Sequence, residues 1–255
     1  MQSRKLWLVT AALMLVACGR SGPPASAPTA DSAEPAAEAP ANDADASQSA
    51  TAAAALVTDE GAGAPNTGRF RIGLDYQRLS PTQPTSSAPD QVEVAEVFWY
   101  GCPHCFHFDP MVEAWRAKKA EYVNFVRVPA VWNPLLQLHA RAFYTAEALG
   151  KGAAMHSEFF KEIHERGNSL DTEQKLQEFF GRFGVDAAAF KTAFDSFAVH
   201  AKLQRADELN RRYRIGGVPT LIVNGKYTTE GGQTANYEDL LELANVLAAA
   251  EHAGK

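Results

Sequence analysis

The 255-residue chain is 46% hydrophobic and 10% aromatic, enough for one substantial core, and it places that material almost wholly after about Arg69. Its net charge of −6 is accounted for by an early tract in which Asp31, Glu34, Glu38, Asp43, Asp45, Asp59 and Glu60 face only Arg20. The remainder is nearly neutral and carries no Lys/Arg stripe, which excludes recognition of a phosphate backbone, and three cysteines are too few for a disulfide framework.

The first residues, "MQSRKLWLVTAALMLVACGR", set Arg4 and Lys5 before an apolar run from Leu6 to Ala17 and then a cysteine, the layout of a secretory signal. The run is shorter than the roughly 20 residues a membrane-spanning helix needs. "LVAC" resembles the bacterial lipobox, which implies removal of residues 1–17 and a lipid on Cys18. The other reading is an ordinary signal peptide with a cysteine near its cut site. With Cys18 lipidated, Cys102 and Cys105 are the only thiols of a cell-envelope protein, where disulfides persist. Gly19 tilts the anchor toward the outer rather than the inner membrane, facing the periplasm in either case. Residues 18–68 then form an Ala/Pro/Ser/acidic linker that cannot bury enough apolar surface to fold. As a flexible coil it spans on the order of 40 Å, and it is expected to act as a spacer.

Residues 69–255 are expected to form one domain. After the short segment "DYQRLSP", "QVEVAEVFWY" reads as a buried strand that runs directly into "GCPHC". "FHFDPMVEAWRAKKAEY" follows as a helix with Cys102 at its start, and "VNFVRVPAVW" as a second strand. From about 133 to 213 the apolar spacing is helical. Asp171 with Gln174 predicts a capping box before Leu176, Phe179 and Phe180, and Gly184 ends that helix. Asp186 opens a long run whose Phe190, Phe194 and Phe197 are expected in the core. "GVPTLIVNGKYTTE" predicts a hairpin turned at Asn224-Gly225, and "NYEDLLELANVLAAA" a final helix. Strand, motif, helix, strand, helical block, hairpin and helix together suit an α/β sheet with a helical insertion.

Two cysteines separated by Pro103 and His104 could clip a loop, hold half of a metal site, or act in redox chemistry. A bridge across so small a loop constrains the unfolded chain little. Zinc needs four ligands, and there is no second cysteine pair, nor any metal-like grouping of His139, His156, His164, His200 and His252 with His104 and His107. The redox reading has a physical basis, because only a thiolate attacks a disulfide and a helix N-terminus stabilises that anion. Cys102 is then the nucleophile and Cys105 the resolving thiol. His104 adds positive charge or a hydrogen bond, which favours the reduced state and makes the disulfide oxidising.

"EVFWYGCPHCFHFDP" together with "GVPTLIVNGKY" resembles the bacterial DsbA thiol:disulfide oxidoreductases over most of residues 75–250. The resemblance implies a thioredoxin fold with an inserted helical domain. It further implies a monomeric periplasmic enzyme that donates its Cys102–Cys105 disulfide to folding exported proteins with free cysteines. No metal or organic cofactor is required, and a DsbB-type quinone-linked membrane oxidase would restore the disulfide. Pro219, which the residues alone equally allow as a turn proline, matches the family's cis-proline beside the cysteines, where backbone is offered to a substrate strand. Val218 is carried over as a tuner of redox behaviour and substrate release, with Thr220 beside it, and Pro103 belongs to the CPHC motif. Glu96 matches a buried acid that moves a proton to or from Cys105, or else it is a structural carboxylate paired with Arg127, which stands where many relatives have lysine. Asp109 matches another acidic position and is expected to be surface charge. Phe98, Trp99 and Tyr100 either line a groove for unfolded peptides or pack in the core. A reductase or isomerase of the same fold, and a non-catalytic copper- or zinc-binding envelope lipoprotein, remain as rivals.

Overall fold

The "VEVAEVF" run forms strand β2 (Val92–Phe98), and all seven of its residues are buried, as expected of a strand covered on both faces. The computed structural model describes residues 65–230 and 236–255. The signal-like start, Cys18 and the Ala/Pro-rich tract through residue 64 lie outside the described residues. The described residues include some before Arg69: Thr67 is buried and its hydroxyl donates to the Phe70 carbonyl at 2.6 Å.

β2 leads through α1 (Pro103–Arg116) to β3 (Val123–Pro129), which pairs with it in parallel and sets Glu96 opposite Arg127. This βαβ unit is followed by five helices, α2 (Pro134–Ala148), α3 (Gly152–His164), α4 (Glu173–Gly181), α5 (Ala187–Phe194) and α6 (Phe197–Arg212). β4 (Thr220–Val223) then returns antiparallel to β2, and β5 (Tyr227–Glu230) pairs antiparallel to β4. A short β1 (Gln77–Arg78) adds to β5, so the strand order is β1-β5-β4-β2-β3. Asn224 and Gly225 make the hairpin turn with φ of 51° and 63°. Gly225 also lies where a Cβ would come 2.0 Å from the Gln83 carbonyl oxygen, so no side chain fits. α7 (Tyr237–Ala253) closes the fold.

α1 and α7 cover the sheet face bearing Val92, Val94, Leu221 and Val223, joined by Phe108, Val112, Leu240 and Leu247. Ala95, Val97 and Ile222 on the other face merge with the aromatic core of the helical block, which includes Phe160, Phe180 and Phe190. Two expectations need correction. The cap of α4 is Thr172, whose hydroxyl accepts from the Lys175 amide at 3.2 Å, while Asp171 pairs with the Lys175 ammonium at 2.7 Å. The run opened by Asp186 is two helices, because Ser196 caps a second start by accepting from the Val199 amide. That restart shifts the helical phase, so Phe190 and Phe194 are buried whereas Phe197 is 87% exposed.

Candidate active site

β2 ends at Phe98, and the chain turns tightly into α1 as the Cys102 amide donates to the Trp99 carbonyl at 3.0 Å. Pro103 occupies the first helical turn, where it loses no needed amide. Cys102 is the N-cap residue, extended at φ −85° and ψ 119°, and no side chain caps the helix. The first turn holds no acidic residue, so its amide groups and the positive end of the helix are left for the Cys102 sulfur. Both thiols are free; Cys102 is 7% exposed and Cys105 fully buried, while Pro103 and His104 face solvent.

The two sulfurs are driven apart in acidity. The Cys105 thiol donates to Cys102 and, against the opposing effect of burial, brings the Cys102 pKa down to about 6, helped by the backbone amides of Cys105 and His104 and by the His104 charge. Burial, and then the same hydrogen bond, push Cys105 well above the ordinary thiol value. The His104 ring is turned toward α7, with Nδ1 3.2 Å from the Tyr237 hydroxyl. Its contribution at Cys102 is thus a charge and a backbone amide, and the ring makes its hydrogen bond elsewhere.

Across from the helix start, the Val218 carbonyl lies 3.4 Å from Cys102 Sγ. The Val218–Pro219 bond is cis and Pro219 is buried. Thr220 begins β4, fully buried, with its hydroxyl donating to the Gly217 carbonyl at 2.8 Å. This fastens the loop that faces the sulfur.

Glu96 is 2% exposed and accepts from Arg127 Nε at 3.0 Å. Burial raises its pKa against the opposing Arg127 charge, and its own charge raises Cys105 although no hydrogen bond joins the two. Arg127 serves two other carboxylates, Asp109 at 3.2 Å and Glu113 at 2.7 Å. Asp109 is therefore not the surface charge expected of it. It is 3% exposed, because its turn of α1 faces α3, where Ser157 donates to it at 2.7 Å and His156 Nε2 lies 3.1 Å away. Burial alone would raise Asp109, but His156, Ser157 and Arg127 together hold its carboxyl below the ordinary range. Of the aromatic trio, Phe98 and Tyr100 are core residues, 0% and 3% exposed, and only Trp99 is partly open.

Sequence reasoning weighed His139, His156 and His164 only as metal ligands, and the fold brings all three to this turn. His139 accepts from the Trp99 indole at 3.1 Å, His156 Nδ1 lies 2.9 Å from the Tyr100 hydroxyl, and His164 Nε2 donates to the Tyr100 carbonyl at 2.8 Å. They stand 40 to 64 residues from their partners, and no local motif marks them. Among the described residues no cluster of His, Cys, Asp and Glu could hold a metal ion.

A dithiol at an uncapped helix start, set between the end of a central strand and a cis-proline loop, defines a thioredoxin-type redox site. A family model described as the DSBA-like thioredoxin domain matches residues 93–242. The thiol:disulfide interchange protein DsbA of Azotobacter vinelandii is 40% identical over 178 residues, 70% of this chain and 83% of that protein. Crystal structures of the DsbA of Pseudomonas aeruginosa (TM-score 0.69, 36% identity, 72% of this chain and 96% of that one) and of Xylella fastidiosa (TM-score 0.68, 33%, 72% and 98%) share the architecture. The chain belongs to the DsbA family of thiol:disulfide oxidoreductases, with its thioredoxin fold and inserted helical domain.

Proposed function

We propose that this chain is a periplasmic oxidase that donates the Cys102–Cys105 disulfide to exported proteins. The observation that carries the reading is the placement of Cys102 at an uncapped helix start, 3.4 Å from the Val218 carbonyl of the cis-proline loop, which agrees with a Cys102 pKa brought down to about 6 while Cys105 is pushed up. A substrate thiolate attacks Cys102 Sγ, the Cys102–Cys105 bond breaks, and Cys105 leaves with the electron pair and takes a proton. Glu96, buried near Cys105 with its pKa raised by burial against the Arg127 charge, is the proposed donor. A second substrate thiolate then attacks the substrate sulfur of the mixed disulfide and expels Cys102 as a thiolate, leaving the substrate oxidised and the enzyme a dithiol. The low pKa of Cys102 makes it the better leaving group. That stabilised thiolate also favours donation over the reductase direction.

In this mechanism His104 and the helix start stabilise the Cys102 thiolate, Pro103 shapes the turn, and Val218, Pro219 and Thr220 present the opposing backbone to substrate. Reoxidation falls to a membrane partner of the DsbB type, and a lipid on Cys18 holds the monomer to its membrane. The signal-like layout and the "LVAC" motif support that anchor.

Trapping tests the assignment of roles. Cys105→Ala should accumulate mixed disulfides with exported proteins on non-reducing gels, and Cys102→Ala should not; equal trapping by both would remove it. For the anchor, Cys18→Ser should move the protein from the membrane to the soluble envelope fraction, and unchanged membrane association would reject lipidation.

A further inference from the structure

We infer that the helical block positions the redox turn through three histidines, with His164 the direct hold on the backbone leading into Cys102. The inference rests on the oxidase reading and adds to it a set of positioning residues on α2 and α3.

The proton placement on each ring follows from its partners. The Trp99 indole can only donate, so His139 Nδ1 is an acceptor and its Nε2 donates to the Ser169 carbonyl at 3.2 Å. That neutral form agrees with burial, which brings the His139 pKa down to about 4. His156 has Nε2 toward Asp109 and Nδ1 toward the Tyr100 hydroxyl, so Tyr100 donates to it. Burial raises the Tyr100 pKa and keeps its proton in place. Tyr100 is thereby held at both ends, its hydroxyl by His156 and its carbonyl by His164. The His164 ring also stacks on Phe106 at 4.8 Å and 14°. It therefore touches the chain two residues before Cys102 and one residue after Cys105.

The turn between these holds has little freedom. The Trp99 carbonyl takes the Cys102 amide, and the Trp99 indole lies so close over Gly101 that a Cβ there would sit 2.3 Å from it. The direction of Cys102 Sγ relative to the His104 and Cys105 amides is set by the backbone that enters at Tyr100. Losing the His164 donor frees the Tyr100–Gly101 peptide plane to rotate, and the sulfur loses its alignment with those amides. The groups that act most strongly on the Cys102 charge, Cys105 and His104 on α1, and Tyr237 on α7, which feels that charge, are untouched by the change.

The experiment follows the alkylation rate of reduced Cys102 with iodoacetamide against pH in the full chain, with the thermal midpoint of each variant measured alongside. His164→Phe keeps a ring against Phe106 and loses the donor, His164→Leu is a second donor-free variant, and His164→Gln restores an N–H. The wild-type midpoint should fall at about 6. It should rise by about one unit in the Phe and Leu variants, a tenfold loss of thiolate below the midpoint, and return most of the way in the Gln variant. A purely structural role would lower thermal midpoints and leave the titration where it is. Low wild-type titration with unmoved Phe and Leu variants, or a Gln variant no better than Leu, overturns the inference alone. A wild-type midpoint near that of an ordinary thiol fails the oxidase reading, and the inference with it.

Discussion

Cys102 titrates at about 6 in the folded protein against an ordinary thiol value of 9.0, and this shift has a stability consequence with a definite sign. The depressed Cys102 pKa contributes stability to the folded dithiol that is lost as pH falls from about 9 through about 6, while the raised Cys105 pKa acts against it only above about 9. At pH 7 the Cys102 contribution is at most about 1.4 kcal/mol, reduced by the solvent that reaches this thiol. Denaturant titration of reduced and oxidised protein should therefore show the reduced form losing relative stability between pH 8 and pH 5; a pH-independent difference would contradict the assigned shift. The "CPHC" pair was legible because its chemistry is local: four consecutive residues after a buried strand already place a thiol at a helix start. Asp109 was misread because its burial depends on α3, whose Ser157 and His156 lie 48 and 47 positions further on and reach it only through tertiary packing.

The elements themselves were readable where periodicity ran long, as in β2 and α7, and less so at helix starts, where the cap was placed one residue early at Asp171. Asp and Thr both suit an N-cap, and in the fold it is the Thr172 hydroxyl that takes the Lys175 amide. Thr172→Ala should cost about 1 kcal/mol of unfolding free energy. Asp171→Ala, which removes an exposed ion pair with Lys175 and a contact with Ser169, should cost less than about 0.5 kcal/mol. The reverse order would restore the Asp171 cap. Ser196 was hidden inside an apolar run, and missing it joined α5 to α6 and carried Phe197 into the core; a cap restarts the phase of a helix, so one overlooked serine displaced a large side chain from inside to outside.

For the whole molecule, chain order alone pointed to a sheet interrupted by helices, because a strand, a crossover helix and a terminal hairpin leave few alternatives. What order could not convey was how the inserted helices meet the redox turn. Three imidazoles from α2 and α3 converge on Trp99 and Tyr100, so the insertion is part of the site's support as well as a cover for the sheet. This support and the uncapped helix start together stabilise the dithiol and make its disulfide an oxidant. Equilibration of the full protein with a glutathione series, read by alkylation of Cys102 and Cys105, measures that directly. The expected potential is about −120 mV, the strongly oxidising value of a DsbA. A value near about −270 mV, in the range of reducing thioredoxins, would contradict it.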